Sequence, residues 1–514
     1  MTAQTVLIAA PVVVPLLSAG IALLLSPTPS AQRALGFGVL VALVADAGWL
    51  IQRVDTMGTQ VVHAGGYHPP LGITLVADRL SALALLTAVI VCLTVFTYAT
   101  GQGIADRRIE NVPSVFYPTY LVLLAGIALV FLTGDLFTMY VGFEVMLMSS
   151  YVLITLGPTA ERVRAAMTYM VTSLTASILL LTTIGLVYAV TGTVNLAQLA
   201  GAIPDLDSGM RQLLGLLLLL ALGIKAGMVP LHWWLPDSYP TAPAPVTAVF
   251  AALLTKVGVY AIIRTQSLLF PRDEPWTLLL VLAGLTMIVG VLGALTQDNL
   301  NRVLSFALVS HIGFMLFGLA ISSVAGLAGA TIYLVHHITV QASLFLVAGL
   351  LERHHGTVSL ARLGGVAAGA PVLTILFLLP ALSLGGIPPF AGFVAKLSLL
   401  QAAAARATPL VLAVAGVALL VSLLTLAALT RVYLKAFWGE PEHVVPDLEP
   451  DDLVEVGTGR RARPMHVAAG TAVCVGLAVA AAAGPLSAFA QRAAEDLSDR
   501  TAYRTAVLDL RGDR

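Results

Sequence analysis

The sequence predicts an all-α membrane protein of about 14 transmembrane helices, with two inverted five-helix repeats and discontinuous helices 7 and 12. Composition is the first reason. Of the 514 residues, 58% are hydrophobic and only 11% are charged, and mean hydropathy is +0.93; globular domains carry about 25% charged residues. The second is that apolar runs of about 20 residues recur along the whole chain, each long enough to span ~30 Å of hydrocarbon as a helix. These runs are continuous rather than alternating, which excludes a transmembrane β-barrel. The third is where charge is tolerated. Of only four lysines, Lys225, Lys256 and Lys396 lie inside apolar runs, where a lysine costs roughly 2.5–3.5 kcal/mol on insertion scales. Lysine gives up its proton readily when desolvated and arginine does not. Three such residues, with one buried glutamate, point to a proton or cation path across a bilayer.

The spans read as 5–25, 34–52, 79–99, 117–132, 136–157, 166–190, 212–236, 243–264, 276–296, 303–323, 327–351, 371–403, 408–434 and 466–490. The first is followed at once by others, so it is an anchor and not a cleaved signal. Asp46 falls near the end of the second, as an interfacial or structural acid. Cys92 and Cys474 lie within spans far apart in sequence and read as small apolar packing residues, with no disulfide or metal cluster. In the fifth span Glu144 has no basic neighbour in sequence, so its partner must come from another helix, and Lys225 is the natural candidate. An opposite charge would hold the carboxylate ionised, whereas desolvation alone would neutralise it. Such a pair is helix-to-helix glue, a switch, or both.

Two spans are interrupted in a similar way. In the seventh, Lys225 is followed by Gly227, Pro230, His232, Pro236 and Asp237; in the twelfth, Gly385, Gly386, Pro388, Pro389 and Gly392 precede Lys396. Proline removes a helix hydrogen bond and glycine permits unwinding. The backbone groups so freed survive at membrane depth only inside protein or beside a wet cavity. Breaks at corresponding places in two halves point to inverted repeats and a transport path. The repeats are expected over 117–264 and 276–437, after three N-terminal helices within 1–116. Pro and Gly are common in membrane helices generally; the lysine beside each break is what favours function.

Lys256 lies deep in the eighth span, and Tyr260, one turn on, shares its helical face. A relay role fits this depth better than a structural one. His336 and His337 fall in mid-span of the eleventh helix, where histidine titrates near physiological pH. Adjacent residues point about 100° apart on a helix, so at most one of the two need face a path. Gln341, one turn after His337, is positioned to hydrogen-bond a bridging water. His311 and His232 are secondary candidates, open between hydrogen-bonded core residue and relay. Together these residues suggest a lateral file of lysine, histidine and glutamate at mid-membrane, with protons hopping between sites through waters. His63, His68, His354 and His355 are loop or span-end residues from which no metal site is expected, and no cofactor motif occurs.

Thirteen basic residues fall in connections after odd-numbered spans and six in the others. The positive-inside bias therefore puts the odd connections in the cytoplasm and both termini outside. Zero formal net charge and the lack of a basic run give no argument for nucleic acid. The acidic segment 438–465 reads as a solvated cytoplasmic loop, with partner docking the sharper alternative. Residues 466–514 supply a last helix and a polar tail compatible with a short surface helix.

At this point the residues resemble a known family. The run Gly223-Ile-Lys-Ala-Gly-Met-Val-Pro-Leu-His-Trp-Trp-Leu-Pro-Asp-Ser-Tyr-Pro is similar to the seventh-to-eighth helix signature of the proton-translocating antiporter-like subunits. So are Leu253-Leu-Thr-Lys-Val-Gly-Val-Tyr-Ala261, Asp298-Asn-Leu-Asn-Arg-Val-Leu-Ser305, His336-His-Ile-Thr-Val-Gln-Ala-Ser-Leu-Phe345 and Ser383-Leu-Gly-Gly-Ile-Pro-Pro-Phe-Ala-Gly-Phe393. The resemblance covers residues 5–490 and is closest to the D-type subunits of Mrp cation/proton antiporters. The Trp-Leu-Pro-Asp-Ser-Tyr-Pro wording, the segment Tyr188-Ala-Val-Thr-Gly-Thr-Val-Asn195 and the paired His336-His337 lean that way. It implies a multi-pass protein of a bacterial cell membrane. It also implies a proton path inside a hetero-oligomeric complex with several other subunits, exchanging protons for Na+ without a cofactor. The alternative within the superfamily is a proton-pumping membrane-arm subunit of complex I or a related redox complex. The resemblance makes Glu144 the ion-pair glutamate, Lys225 the broken-helix lysine, Lys256 the central relay lysine, His337 the eleventh-helix histidine and Lys396 the exit-side lysine. There are two departures. Gln341 stands where the family often has lysine, and Asn301 where it often has lysine or arginine. A relay here must skip position 341 or cross it by water.

Overall fold

The computed structural model describes residues 3–103, 115–157, 159–440 and 462–508. Helices α1 (Ala3–Leu24) and α2 (Pro29–Met57) are followed by an antiparallel hairpin, β1 (Gln60–His63) and β2 (Thr74–Ala77), with Gln60 opposite Ala77. Then come α3 (Arg79–Gln102), α4 (Phe116–Leu132), α5 (Leu136–Ile154), α6 (Ala160–Thr191), the short α7 (Leu196–Ala202) and α8 (Ser208–Ala226). The turns α9 (Leu235–Ser238) and α10 (Ala244–Val249) lead through a π-helical turn, Phe250–Leu254, into α11 (Thr255–Leu268). Next are α12 (Thr277–Thr296), α13 (Leu300–Ala320), α14 (Val324–His355) and the short α15 (Val366–Gly369). The chain finishes with α16 (Pro371–Gly385), α17 (Ala391–Arg406), α18 (Pro409–Tyr433), α19 (Ala462–Ala481), α20 (Ala483–Ser498) and α21 (Arg500–Leu508).

Helix starts follow local chemistry. Asp78, Asp135, Thr159, Asn195, Asp207, Asn299 and Ser323 each accept a hydrogen bond from a backbone amide in the first turn of the helix that follows. These side chains satisfy donors that a helix start leaves unpaired. Among the described residues, 12 helical segments are long and apolar enough to cross a membrane, and α4 and α16 are shorter apolar helices. Burial divides them into layers. Ala244–Leu268 and α14 are enclosed on every side and α13 nearly so, whereas α1, α2, α18 and α19 keep most of their surface outward. A helix apolar all round belongs either in a protein core or against lipid; contacts with α3, α10, α13, α16, α17, α19 and α20 put α14 in the first class.

Two local patterns recur. Gly227 (φ +76°) ends α8, its amide reaching Gly223 and Ile224, with Met228 also donating to Gly223. Gly386 (φ +88°) ends α16 in the same way on Leu382 and Ser383, with Ile387 donating to Leu382. Each cap needs the left-handed backbone that glycine adopts without strain. Pro230 follows the first cap, Pro388 and Pro389 the second. Elsewhere, Leu136 donates to Val194 and Leu196 to Gly134, while Leu300 donates to Val358 and Leu360 to Asp298. One pair ties the start of α5 to α7, and the other ties the start of α13 to the segment after α14.

Several expectations need correction. The all-helical class stands, but the connection after α2 is a short hairpin, β1 with β2, rather than a plain loop. The seventh span does not run to residue 236: α8 stops at Ala226, and turns carry the chain from there to α10. Asp46 is not near a helix end, since α2 runs on for three turns to Met57; both its carboxylate oxygens are enclosed and have no partner among the described residues. Arg264 is not a connection residue. It is buried on α11 and ion-paired to Asp78 at 2.5 Å. The polar tail is more than a surface helix, because α20 and α21 bury Phe489, Leu497 and Tyr503. Asp496 meets Arg79 at 2.7 Å and Arg492 meets Asp55 at 2.8 Å, which clamps α20 onto the ends of α2 and α3. The acidic run between Glu442 and Glu455 lies outside the described residues.

Candidate functional site

The candidate residues form three groups, the second and third of them in the enclosed layer. In the first, Glu144 on α5 accepts a hydrogen bond from the Ser177 hydroxyl on α6, and the Lys225 amine on α8 donates to that same hydroxyl at 2.9 Å. The expected partnership is therefore bridged by a serine rather than direct. Lys225 belongs to the last turn of α8, the favourable end of the helix dipole for a cation, and its amine lies 4.9 Å from the Phe143 ring centroid. Glu144 is only half-buried. Its face of α5 also carries the exposed residues Phe137, Met148 and Val152.

The second group centres on Lys256, which is 0% exposed. Its amine donates to the Ala251 carbonyl at 2.5 Å, within the π-helical turn that precedes α11. Such a turn displaces carbonyls from the regular ladder, and here one of them receives the ammonium. Among the described residues no carboxylate lies within 4.0 Å of the amine. The two lysine helices touch at Gly258, where a Cβ would fall 2.8 Å from the Ala226 nitrogen and 3.0 Å from the Lys225 carbonyl carbon. Only glycine permits that approach of α11 to α8.

The third group lies where α13, α14 and α17 meet. His337 Nε2 is 3.1 Å from Gln341 Nε2, and its ring stacks on His311 at 5.3 Å with planes 6° apart. His311 Nδ1 is 2.7 Å from the Tyr333 hydroxyl. His336 turns the other way. Its Nε2 would lie 2.9 Å from a Cβ at Gly392, and it lines a small cavity with Thr339, Ser343 and Ser383. Beyond it the Lys396 amine donates to Leu384 and Gly385 carbonyls at 2.9 and 3.0 Å and sits 5.2 Å from the Phe314 ring. Lys396 thus caps the half-helix α16, taking up carbonyls that the break at Gly386 releases. Thr255 Oγ1, His311 Nε2, His336 Nε2, His337 Nδ1 and Gln341 Oε1 are buried without partners among the described residues. Buried polar groups are normally hydrogen-bonded, often to water.

The chain matches the NADH:quinone oxidoreductase/Mrp antiporter transmembrane family over residues 133–424. It is a member of that family. Over 505 residues it is 37% identical to the D subunit of a Na+/H+ antiporter from Alkalihalophilus pseudofirmus, covering 98% of this chain and 99% of that one. It is 39% identical over 433 residues to the D subunit of a Na+/H+ antiporter from Bacillus subtilis, covering 84% and 86%. Among solved structures, a chain of the Mrp complex from Dietzia sp. DQ12-45-1b superposes with TM-score 0.90 at 34% identity, covering 99% of this chain and 100% of that one. A chain of respiratory complex I from Thermus thermophilus shares the fold, with TM-score 0.79 at 24% identity over 97% and 99%.

Two secondary candidates of this family member lie apart from the file. The Tyr260 hydroxyl donates to the Phe131 carbonyl at 2.6 Å and accepts from Arg264 at 3.1 Å, which commits it to the buried Asp78–Arg264 pair. His232 is half-buried in the turns after α8, and its Nδ1 has no partner among the described residues. Conversely, Ser177, Tyr333, Phe314 and Gly258 belong to the site and were not singled out from sequence. A serine, an aromatic or a glycine in an apolar helix carries no local signal of function. His311 ranked as a secondary candidate and stands at the centre of the third group.

Proposed function

We propose that this chain is the D subunit of a multisubunit Na+/H+ antiporter in a bacterial cell membrane and that it carries protons. The relay we infer runs from Glu144 through Ser177 to Lys225, then to Lys256, then past Gln341, His337 and His311 to His336 and Lys396. The uncharged Gln341 is crossed by water bonded to the partnerless polar atoms around it. The observation that carries the reading is Lys256. A fully enclosed ammonium with one backbone acceptor and no counter-charge among the described residues has no structural justification, since burial of an unpaired charge is destabilising. Such a group is suited to giving up and regaining a proton as neighbouring sites change charge. The D-subunit relatives support Na+ as the exchanged ion and other subunits as partners.

The recurring caps at Gly227 and Gly386, and the recurring ties at α5 and α13, support two five-helix repeats. If the helices cross in alternation, the equivalent features fall on opposite sides of the membrane, which is the arrangement inverted repeats require. Counting α4 and the α16–α17 pair as one crossing each gives fourteen crossings, with both termini outside on the arginine bias. The redox-complex alternative has the shared family model and a fold-level likeness in its favour, whereas the relatives at 37% and 39% identity are antiporter D subunits.

Lys256→Ala should abolish antiport in reconstituted vesicles while the complex still assembles. Lys256→Arg should not restore it, because guanidinium does not release its proton at accessible pH. Normal transport by Lys256→Ala would remove this residue from the path, and full activity of Lys256→Arg would reduce its role to fixed charge.

A further inference from the structure

The C-terminal end of α14 and the N-terminal end of α19 each present a histidine to the other. His354 Nε2 lies 3.4 Å from His466 Nε2, with ring centroids 5.5 Å apart and planes inclined at 74°. Two chemistries bring imidazole nitrogens together. An N–H hydrogen bond prefers about 2.9–3.0 Å and fades beyond about 3.2 Å, so this separation is long for one. Two imidazoles on one tetrahedral ion, with metal–nitrogen bonds of about 2.0–2.1 Å, hold their nitrogens about 3.3–3.4 Å apart. The observed separation of 3.4 Å matches that tetrahedral edge more closely than it does a good hydrogen bond.

We propose that His354 and His466 form a two-imidazole site for a divalent first-row transition metal of the Zn2+, Ni2+ or Cu2+ class, the ions that imidazole ligands favour. His354 is exposed and His466 partly so, so an ion in solution can reach the pair. No group of three or more His, Cys, Asp or Glu suited to a metal occurs among the described residues. The site is therefore open and weaker than a structural zinc centre. The same two helix ends are also joined by Arg353, whose guanidinium donates to Met465 Sδ at 2.9 Å, so the histidines are held facing one another.

The position gives the metal a consequence. α14 carries His336, His337 and Gln341, and α19 closes the small cavity beside His336 with Val473, Gly476 and Leu477. An ion bridging the two ends would fix α19 on α14 and restrain that cavity. Bound metal should therefore slow transport, an effect that rests on the proton path proposed above. Binding itself does not.

The two are read separately on the intact complex. Equilibrium dialysis against Zn2+ alone should find one ion bound per complex that His354→Gln and His466→Gln each weaken at least tenfold. The double variant should weaken it no further, and His63→Gln with His68→Gln should leave it unchanged. In vesicles, Zn2+ should inhibit the unmodified complex and spare both single variants. Equal Zn2+ stoichiometry and affinity in the unmodified complex and both variants would overturn the site. Loss of binding with inhibition undiminished would overturn the bridge between α14 and α19. A complex that binds Zn2+ as expected but loses no transport on Lys256→Ala would leave the site standing and sink the relay.

Discussion

Ser177→Ala distinguishes a bridged pair from two charges that merely lie near one another. The hydroxyl donates to Glu144 and accepts from Lys225 at 2.9 Å, so one substitution cuts the hydrogen-bonded link between them. A hydrogen bond to a charged group contributes about 1.5–3 kcal/mol. If one such bond is lost from the rate-limiting transfer, at about 1.4 kcal/mol per tenfold, transport should fall roughly 10- to 100-fold. Stability should change less, because Ala fills nearly the same volume and Glu144 is half-exposed. Ser177→Thr keeps the hydroxyl and should recover most of the rate. The assay is Na+-driven proton movement in vesicles at matched assembly, combined with a Glu144→Gln, Lys225→Gln cycle. The cycle should show a coupling of about 1–3 kcal/mol that collapses when Ser177→Ala is added. A full rate in Ser177→Ala with the coupling intact would mean that the pair communicates without the serine.

Gly386→Ala should impair transport at least tenfold, since φ is +88° there and a Cβ would fall 2.8 Å from Lys396 Cδ, displacing the amine from α16; unchanged antiport would show that this capping geometry is dispensable. Lys396→Ala should reduce exchange across a broad pH range whereas Gln341→Lys is tolerated, and the opposite pattern in pH-dependent antiport would move the exit path to His337. Arg264→Met should lower the stability of the folded chain by about 3–5 kcal/mol, because it leaves the Asp78 carboxylate buried and unpaired; thermal unfolding within 1 °C of the parent would refute this. Burial alone would raise the pKa of Asp78, but the Arg264 charge and the Ser81 hydrogen bonds outweigh it and hold the carboxyl below its ordinary value. A depressed folded pKa contributes stability that is present above the unfolded value near 3.9 and lost as pH falls through the folded one. Unfolding temperature should accordingly show no contribution from Asp78 titration between pH 5 and 8, and a drop there that Asp78→Asn abolishes would contradict the pairing.

Much of the architecture was legible because the bilayer imposes it. Each span must be long, apolar and internally hydrogen-bonded, so the runs around α1 to α19 stand out from composition alone. The two breaks were legible for the same reason, as Gly227 with Pro230 and Gly386 with Pro389 violate the helix rule at membrane depth. Lys225, Lys256 and Lys396 were legible because charge inside an apolar run is costly wherever the helix ends up. Side-chain chemistry that is ordinary in a helix was not. Ser177 resembles any helix serine until α6 brings it between Glu144 and Lys225, and Tyr260 shares a face with Lys256 yet turns its hydroxyl to Phe131 and Arg264. The hairpin between α2 and α3 escaped notice because four-residue strands give too short an alternation to read. Asp46 was misplaced because the polar residues after it still belong to α2.

By itself, then, the sequence determined that the chain crosses a membrane many times, where two of its helices break, and which three lysines lie inside apolar runs. Those properties depend on each segment's own transfer free energy and backbone chemistry. Tertiary structure alone decided which helices are enclosed, since α13, α14 and α18 are all apolar runs and only contacts separate core from periphery. It also decided who meets whom. His337 stacks on His311 rather than on its neighbour His336, Lys396 caps α16, and the close pass at Gly258 brings α11 against α8 beside Lys225. Side-chain partners between helices are set by packing angle and rotation about the helix axis, and neither is encoded in hydropathy.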